Sequence, residues 1–201
     1  MTKNNEKVRR LVLIALLTAI MIIMSTTPLG YLNIGPLAIT LNVIPLGIAA
    51  VSLGPVGGLA VGAVFGITSF LQCIGVGGVS AMGAILFEIS PVLAFLQRFV
   101  PRVLVGLIIG LLHKPMVKKF GNKIPCFVTG FLAALLNTIL FMGALVLLFG
   151  KTDYVQELIA GRNIIVFICA FVGINAVFEM VASTLITGAI GSALYRAKVI
   201  K

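Results

Sequence analysis

Long apolar runs alternate with short polar, glycine-rich or proline-rich breaks along the whole chain. The runs are continuous, whereas a membrane β-strand would alternate in polarity over about ten residues, so each run predicts a membrane-spanning helix. Six such spans are predicted, at residues 8–26, 41–52, 56–73, 91–112, 124–149 and 163–195. This pattern predicts an all-α integral membrane protein, with residues 1–201 forming a single six-helix transmembrane domain.

The second predicted span is shorter than the others. Residues 41–52 would form about 18 Å of helix, whereas the apolar core of a bilayer is about 30 Å thick. Pro45 is expected to break this span, and short, broken helices are typical of binding sites in transporters. The alternative is an unbroken helix that begins earlier, near Leu37.

The third predicted span has a face lined by glycine. Gly54 and Pro55 predict a tight turn between the second span and the third. Glycine recurs every four residues, at Gly54, Gly58, Gly62 and Gly66, which would place the four on one face of a helix. A face without side chains lets a neighbouring helix approach closely, so tight helix packing is expected there.

The remaining breaks predict loops. Outer loops are expected at residues 28–40, 74–90 and 150–162, and a cytoplasmic loop at residues 113–123. His113 begins the cytoplasmic loop next to several lysines, so it is expected to be solvated rather than to bind a ligand.

Composition and charge support the membrane assignment. The chain is 60% hydrophobic and 10% charged, whereas about a quarter of the residues in a soluble domain are charged. The net charge is +10, but most basic residues lie at the two ends and in the central loop, which predicts cytoplasmic N- and C-termini. This distribution argues against a nucleic-acid partner and leaves only a weak attraction to anionic membrane lipid. The residues concerned are Lys3, Lys7, Arg9, Arg10, Lys114, Lys118, Lys119, Lys123, Arg196, Lys198 and Lys201.

Two other features of the sequence have simple interpretations. The basic start and the first apolar run could form a signal peptide, but residues 25–28 lack a good cleavage site, so a retained helix is expected. The cysteines, Cys73, Cys126 and Cys169, lie inside apolar runs and are expected to be small buried side chains rather than a disulfide or metal set.

Two arginines fall inside the fourth predicted span. Arg98 and Arg102 are one helical turn apart and therefore share a face. Each charge near the centre of a bilayer costs roughly 2.5–3.5 kcal/mol, so the pair is expected to face a partner or a water-filled cavity. One interpretation is an outward-facing pocket in which the guanidinium groups hold a ligand carboxylate. The alternative is that both side chains extend to the outer headgroups.

Further polar residues lie inside the fifth and sixth predicted spans. Asn137 is midway along the fifth, and Asn175 and Glu179 are one turn apart in the sixth. A buried amide needs several hydrogen-bond partners, which a polar ligand or a neighbouring helix could supply. Glu179 is expected either to bind the ligand or to form an internal ion pair with Arg102. Weaker candidates for the same site are Tyr31, Asn42 and Gln72.

No catalytic or cofactor chemistry is predicted. Gly150-Lys151-Thr152 resembles the end of a phosphate-binding loop, but that motif needs a glycine where this chain has Leu145. We find no nucleophile–base pair, no metal-ligand cluster and no cofactor motif in the sequence. The chain is therefore not expected to be an enzyme, nor to drive transport with ATP by itself.

Together with the six predicted spans and their basic flanks, two local features carry a resemblance to a known family. Ala15 and Ala19 place small side chains one turn apart in the first span, and Leu-Gly-Pro-Val-Gly-Gly stands at residues 53–58. Over nearly its whole length the chain resembles the substrate-binding membrane subunits (S components) of energy-coupling factor (ECF) vitamin transporters. The resemblance implies a multi-pass protein of the prokaryotic cell membrane. Ala15 and Ala19 would dock on the transmembrane coupling subunit, through which two ATP-binding cassette ATPases supply energy.

The resemblance also suggests a substrate. Residues 27–31, 35–36, 40–45 and 66–70 are most similar to pantothenate-specific members of the family. Pantothenate has one carboxylate, which one of the two arginines would hold. Its amide and hydroxyl groups would face the polar residues of the fifth and sixth spans.

Other functions remain open from the sequence. Folate and riboflavin are the alternative vitamins, although the scarcity of Trp and Tyr argues mildly against a flat ring such as riboflavin. A different class of protein, a stand-alone ion-coupled carrier or a membrane scaffold without a ligand, would need neither the coupling subunit nor the ATPases.

Overall fold

A computed structural model describes residues 3–33, 38–161 and 163–200, and most of this part is helical. Five of its helices are long and apolar enough to cross a membrane, which confirms a helical membrane protein. Six spans and cytoplasmic termini stay predictions. The α-helices are α1 (Lys3–Thr26), α2 (Val43–Leu71), α3 (Ala81–Ile89), α4 (Pro91–Phe120), α5 (Lys123–Phe149), α6 (Asp153–Ile159) and α7 (Ile164–Arg196).

The chain reverses direction inside α2. Gly54 has φ 67° and ψ −148°, a backbone conformation that glycine adopts without steric cost. Over eight residues a straight helix would advance about 12 Å. A Cβ atom placed on Gly57 would nevertheless lie 2.8 Å from the carbonyl oxygen of Ala49. The tight turn predicted at Gly54 and Pro55 is therefore present, and it divides α2 into two segments that run in opposite directions.

The start of α2 differs from both sequence-based alternatives. The helix begins at Val43, after Asn42 at its N-cap, so Pro45 lies in the first turn. Backbone N–H groups in the first turn have no partner within the helix, so a proline there breaks nothing. The expected break at Pro45 was wrong. Leu37, where an earlier start was expected, lies outside the described residues, as do Gly35 and Pro36.

A short antiparallel hairpin occupies part of the predicted first outer loop. Its strands are β1 (Tyr31–Asn33) and β2 (Ala38–Thr40), and Tyr31 pairs with Thr40. The pairing brings Tyr31 of β1 next to the start of α2, where both strands approach the helical bundle.

The glycine-lined face of α2 packs against α4, as predicted. A Cβ atom on Gly58 would collide with the backbone of Gly106, and one on Gly66 would collide with Phe99. Gly62 likewise lies against the backbone of α4. Because these positions lack side chains, the two helix backbones touch over two turns.

Interhelical contacts fix the directions of α4, α5 and α7. Arg98 of α4 lies over the ring of Phe141 of α5, whereas fifteen residues further along α4 the His113 ring bonds Thr129 near the start of α5. The same His113 ring contacts Tyr195, near the end of α7. Therefore α4 and α7 run in the same direction, and α5 runs opposite to both.

The bundle consequently has two chemically different ends. The Gly54 turn lies beside Lys114, at the end that also holds His113. We call this the basic end, because all the described basic residues of α4, α5 and α7 except Arg98 and Arg102 collect there, namely Lys114, Lys118, Lys119, Lys123 and Arg196. Apolar side chains, including Met21, Leu46 and Phe65, fill the space between the helices.

Three sequence-based expectations about loops and surfaces were wrong. The predicted outer loops contain the short helices α3 and α6. His113 is 2% exposed rather than solvated, because α4 continues to Phe120 and the ring points between three helices. Cys73 and Cys126 are buried as expected, but Cys169 is exposed on the surface of the chain.

Candidate functional site

A cavity of about 630 Å³ opens at the end of the bundle opposite the basic end. Its wall is formed by the last turn of α1, the hairpin, the segment between α2 and α3, the start of α3, and stretches of α4, α5 and α7. Seven of the eight predicted binding residues line it: Tyr31, Gln72, Arg98, Arg102, Asn137, Asn175 and Glu179.

The helical period explains why these residues converge. Residues four apart lie on the same helix face, and each of the three long helices at the cavity contributes one such pair. The pairs are Arg98 and Arg102 on α4, Asn137 and Phe141 on α5, and Asn175 and Glu179 on α7. Since the helices pack with these faces together, the polar groups meet in one space.

In the described part of the chain, the two arginines are buried without forming an ion pair. Their side chains are 6% exposed for Arg98 and 3% for Arg102, so the alternative of extension to the headgroups is not observed. Arg98 Nη2 donates a hydrogen bond of 3.0 Å to Ser80 Oγ. Arg102 Nη1 donates only a long bond of 3.5 Å to the carbonyl of Gln97, and its Nε has no partner. Among the residues that the structure describes, no carboxylate forms an ion pair with either arginine.

Both guanidinium groups lie over one aromatic ring. Arg102 Cζ is 4.0 Å and Arg98 Cζ is 5.2 Å from the centroid of Phe141. Arg102 Cζ is also 5.3 Å from the centroid of Phe65. The face of an aromatic ring carries partial negative charge. These rings therefore attract the guanidinium groups although they carry no net charge.

Glu179 bonds to backbone rather than to an arginine. Its side chain is 5% exposed, and Oε1 accepts a hydrogen bond of 2.5 Å from the backbone N–H of Thr40. The expected alternative, an internal ion pair with Arg102, is not observed within the described residues. The bond instead connects α7 to the second strand of the hairpin.

Two other polar atoms of the cavity wall have no hydrogen-bond partner among the described residues. The hydroxyl of Tyr31 and Oδ1 of Asn137 are buried and form no hydrogen bond within the described part of the chain. A buried polar atom without a partner costs about 1–3 kcal/mol, which a polar ligand would recover. Gln72 is already engaged, because its Nε2 donates a bond of 2.9 Å to the carbonyl of Ser25.

Asn42 is the predicted residue that the structure does not bring to the cavity. It is fully buried at the start of α2, where Oδ1 packs against Gly30. Neither of its amide atoms forms a hydrogen bond among the described residues. Asn42 therefore does not contribute a polar group to the cavity.

Three contributors to the site were missed from the sequence. Ser80 bonds Arg98 and also caps α3, accepting from the backbone N–H of Gly83. A serine before an apolar run is a recognisable N-cap signal. Phe141 had a signal too, because it follows Asn137 by one helical turn. The backbone N–H of Thr40 had none, since any residue would supply it.

The predicted docking residues lie on a different surface. Ala15 and Ala19 are both exposed on α1, which packs mainly against α2 through Leu17 and Met21. Within the part of the chain that the structure describes, no group of His, Cys, Asp or Glu side chains could hold a metal ion.

Comparison with known proteins agrees with these features. A family model described as "ECF transporter, substrate-specific component" matches residues 9–191. The chain is also 29% identical, over 201 aligned residues, to the pantothenate transporter PanT of Leuconostoc mesenteroides subsp. mesenteroides. That alignment covers 95% of this chain and 94% of PanT.

Proposed function

Because this chain belongs to the family of substrate-specific components of ECF transporters, we propose that it captures pantothenate at the outer surface of a prokaryotic cell membrane. In this proposal the whole chain is one substrate-binding domain and performs no chemical reaction. It binds the vitamin and presents it to the rest of an importer.

The observation that carries the proposal is the pair of buried, unpaired guanidinium groups at the cavity. Burying a charge is costly unless an opposite charge or strong hydrogen bonds compensate it. Arg98 and Arg102 have no carboxylate partner among the described residues, and Arg102 retains an unpartnered Nε. A ligand carboxylate would supply the missing charge and accept bidentate bonds from a guanidinium fork.

The charge of the cavity wall suits an anion with one negative charge. Two arginines and one glutamate line the cavity, so their formal charges leave one positive charge uncompensated. Pantothenate has a single carboxylate, and its amide and hydroxyl groups could bond Asn137 Oδ1 and the Tyr31 hydroxyl, which lack partners. The relative PanT is named as a transporter of this vitamin.

The same wall is less suited to the alternative vitamins. Folate brings two carboxylates, which would leave a net negative charge next to Glu179. Riboflavin needs flat stacking surfaces, but the aromatic residues of the wall are Tyr31 and Phe141, and the Phe141 ring faces the arginines. Charge and stacking therefore both favour pantothenate.

The proposed orientation has six spans and cytoplasmic termini. The reversal at Gly54 supports counting α2 as two spans. The basic end would face the cytoplasm under the positive-inside rule, so the cavity at the opposite end would open outward. An outward opening is what a subunit that captures an external vitamin requires.

The proposed partners are a transmembrane coupling subunit and, through it, two ATP-binding cassette ATPases. The exposed small residues Ala15 and Ala19 would form the docking surface, since small side chains allow another helix to approach α1 closely. Energy would come from the ATPases, because the sequence of this chain contains no nucleotide-binding motif.

Calorimetric titration of the full chain in detergent tests the proposed ligand. The wild type should bind pantothenate tightly without partners. Arg102→Gln should weaken binding at least about tenfold, since a hydrogen bond to a charged group contributes about 1.5–3 kcal/mol. Lys118→Gln, a matched loss of charge at the basic end, should leave binding unchanged.

Two further measurements separate the alternatives. Pantothenyl alcohol, in which CH2OH replaces the carboxylate, should bind wild type weakly and should lose little on Arg102→Gln. An equal loss for both ligands would point to a structural role for the arginine. Uptake into vesicles should need the coupling subunit and ATPases. Uptake by this chain alone that collapses with an ion gradient would identify a stand-alone carrier.

A further inference from the structure

Phe141 occupies an unusual position for a buried phenylalanine. Its side chain is 9% exposed, and the residue both lines the cavity and belongs to the apolar cluster that contains Met142, Leu145 and Phe149. Two guanidinium groups lie over it, at 4.0 Å for Arg102 and 5.2 Å for Arg98, so one ring serves two cations.

The arginines need something to hold them together when no ligand is bound. They lie one turn apart on α4, and like charges at this spacing repel each other. A carboxylate between them would relieve the repulsion, but it would also take up their N–H donors and compete with an anionic ligand. The described residues place an aromatic ring there instead.

An aromatic ring, unlike a carboxylate, leaves the N–H donors of a guanidinium group free to bind another acceptor. Its quadrupole attracts the positive charge, but it has no oxygen lone pairs to accept the guanidinium fork. The hydrogen bonds agree with this difference. Arg102 Nε has no partner, and Nη1 forms only a 3.5 Å bond, so the donors of Arg102 remain available.

We infer that Phe141 is a positioning residue, which holds both guanidinium groups in place through its ring face and leaves the donors of Arg102 available for the ligand carboxylate. The inference rests on the proposed function for the identity of the ligand. The contact between the ring and the arginines exists without ligand, so part of the test does not depend on that identity.

The first test is a double-mutant cycle on thermal unfolding of the ligand-free chain. Phe141→Leu, Arg102→Met and the combination are compared with wild type. If the ring holds the arginine, Phe141→Leu should lower the unfolding temperature more in wild type than in the Arg102→Met background. Phe149→Leu is the matched control, because Phe149 is fully buried in the same apolar cluster but does not line the cavity.

Additive effects of Phe141→Leu and Arg102→Met in this cycle would overturn the inference. Should Phe141→Leu alone fail to yield folded protein, recovery of folded protein in the combined variant would support the coupling. Failure to recover it would count against the coupling. Phe149→Leu should show the same loss in both backgrounds.

The second test separates positioning from packing by the choice of ligand. Phe141→Leu should weaken pantothenate binding about tenfold, the order of one desolvated cation–π contact. The affinity for pantothenyl alcohol should change less than about threefold. Phe141→Tyr, which keeps the ring, should restore pantothenate binding. Equal losses for both ligands, or no loss for pantothenate, would overturn the inference.

The two tests fail independently. Absence of pantothenate binding by the wild type would reject the proposed function, while the unfolding cycle would still decide whether Phe141 holds the arginines. Additive unfolding effects together with tight wild-type binding would reject the positioning role and leave the proposed function intact.

Discussion

Arg102 is the residue at which ligand binding and stability should oppose each other. Its side chain is 3% exposed and has one long hydrogen bond, of 3.5 Å. A buried arginine in an apolar helix costs roughly 2.5–3.5 kcal/mol on insertion scales. The contact with the Phe141 ring, at 4.0 Å, recovers about 1.4 kcal/mol, and the longer contact with Phe65, at 5.3 Å, recovers about 0.5 kcal/mol. A net cost of about 0.6–1.6 kcal/mol therefore remains in the ligand-free protein.

Arg102→Met removes the charge and keeps an unbranched side chain of moderate length. The variant should unfold about 2–4 °C higher than wild type without ligand for each 1 kcal/mol gained. At a pantothenate concentration of 100 Kd for wild type, wild type should gain about 2.7 kcal/mol. The variant, whose binding should be weaker by about 1.5–3 kcal/mol, should gain only about 0.3–1.3 kcal/mol. The two proteins should therefore exchange rank when the vitamin is added.

A thiol-reactive dye provides the assay, because Cys73 and Cys126 are buried and become accessible on unfolding. Cys169 is exposed and should first be replaced by serine in both proteins. Arg98→Met is the control: Arg98 would lose its 3.0 Å bond to Ser80, so the gain should be smaller. A lower unfolding temperature for ligand-free Arg102→Met would refute the reasoning, since the guanidinium would then stabilise the fold.

Three further predictions concern the packing of α2 on α4, the buried contacts of His113 and the docking surface on α1. Gly58→Ala should destabilise by about 1–3 kcal/mol in thermal unfolding, because its Cβ would meet the backbone of α4. Gly143→Ala, with open space at its Cβ, should be neutral or stabilising. His113→Leu should cost about 1–3 kcal/mol, since the hydroxyls that its ring nitrogens contact on α5 and α7 lose a partner. Ala15→Trp should block copurification with the coupling subunit but preserve pantothenate binding, whereas Leu147→Trp, at an 84% exposed position, should preserve both.

Each of these predictions has an outcome that contradicts it. Equal stabilities of the two glycine variants would mean that the backbones of α2 and α4 do not touch. An unchanged unfolding temperature for His113→Leu would mean that the contacts of His113 with Thr129 and Tyr195 do not stabilise the fold. Normal assembly of the tryptophan variant on α1 would place the docking surface elsewhere.

Much of the cavity could be predicted because buried charge is costly in apolar helices. Arg98 and Arg102 share a face by their spacing, and the cost of burying them required a common polar space. The contact of Glu179 could not be predicted, because its partner is the backbone N–H of Thr40. A backbone donor leaves no mark in the sequence, and the hairpin that carries it is only three residues per strand.

The wrong predictions for His113 and Pro45 gave more weight to the adjacent residues in the sequence than to the position of each residue in its helix. His113 was assigned to a loop because lysines follow it, but it continues the buried face of α4 one turn after Ile109. The lysines extend from the other faces of the same helix. Pro45 was assigned to a break, but the helix begins at Val43, so the proline falls in the first turn, where it is tolerated.

Helix α1 contributes to both the cavity and the proposed docking surface. Ser25 and Thr26 line the cavity, and Ser25 is tied to α2 by bonds from Thr68 and Gln72, of 3.0 and 2.9 Å. The exposed alanines that would meet the coupling subunit lie on the same continuous helix. If docking of the coupling subunit tilted α1, the tilt would also move Ser25 and Thr26 at the cavity wall and would change the affinity for the vitamin. Because coupling between two binding sites is reciprocal, vitamin binding would then change the affinity for the coupling subunit by the same factor.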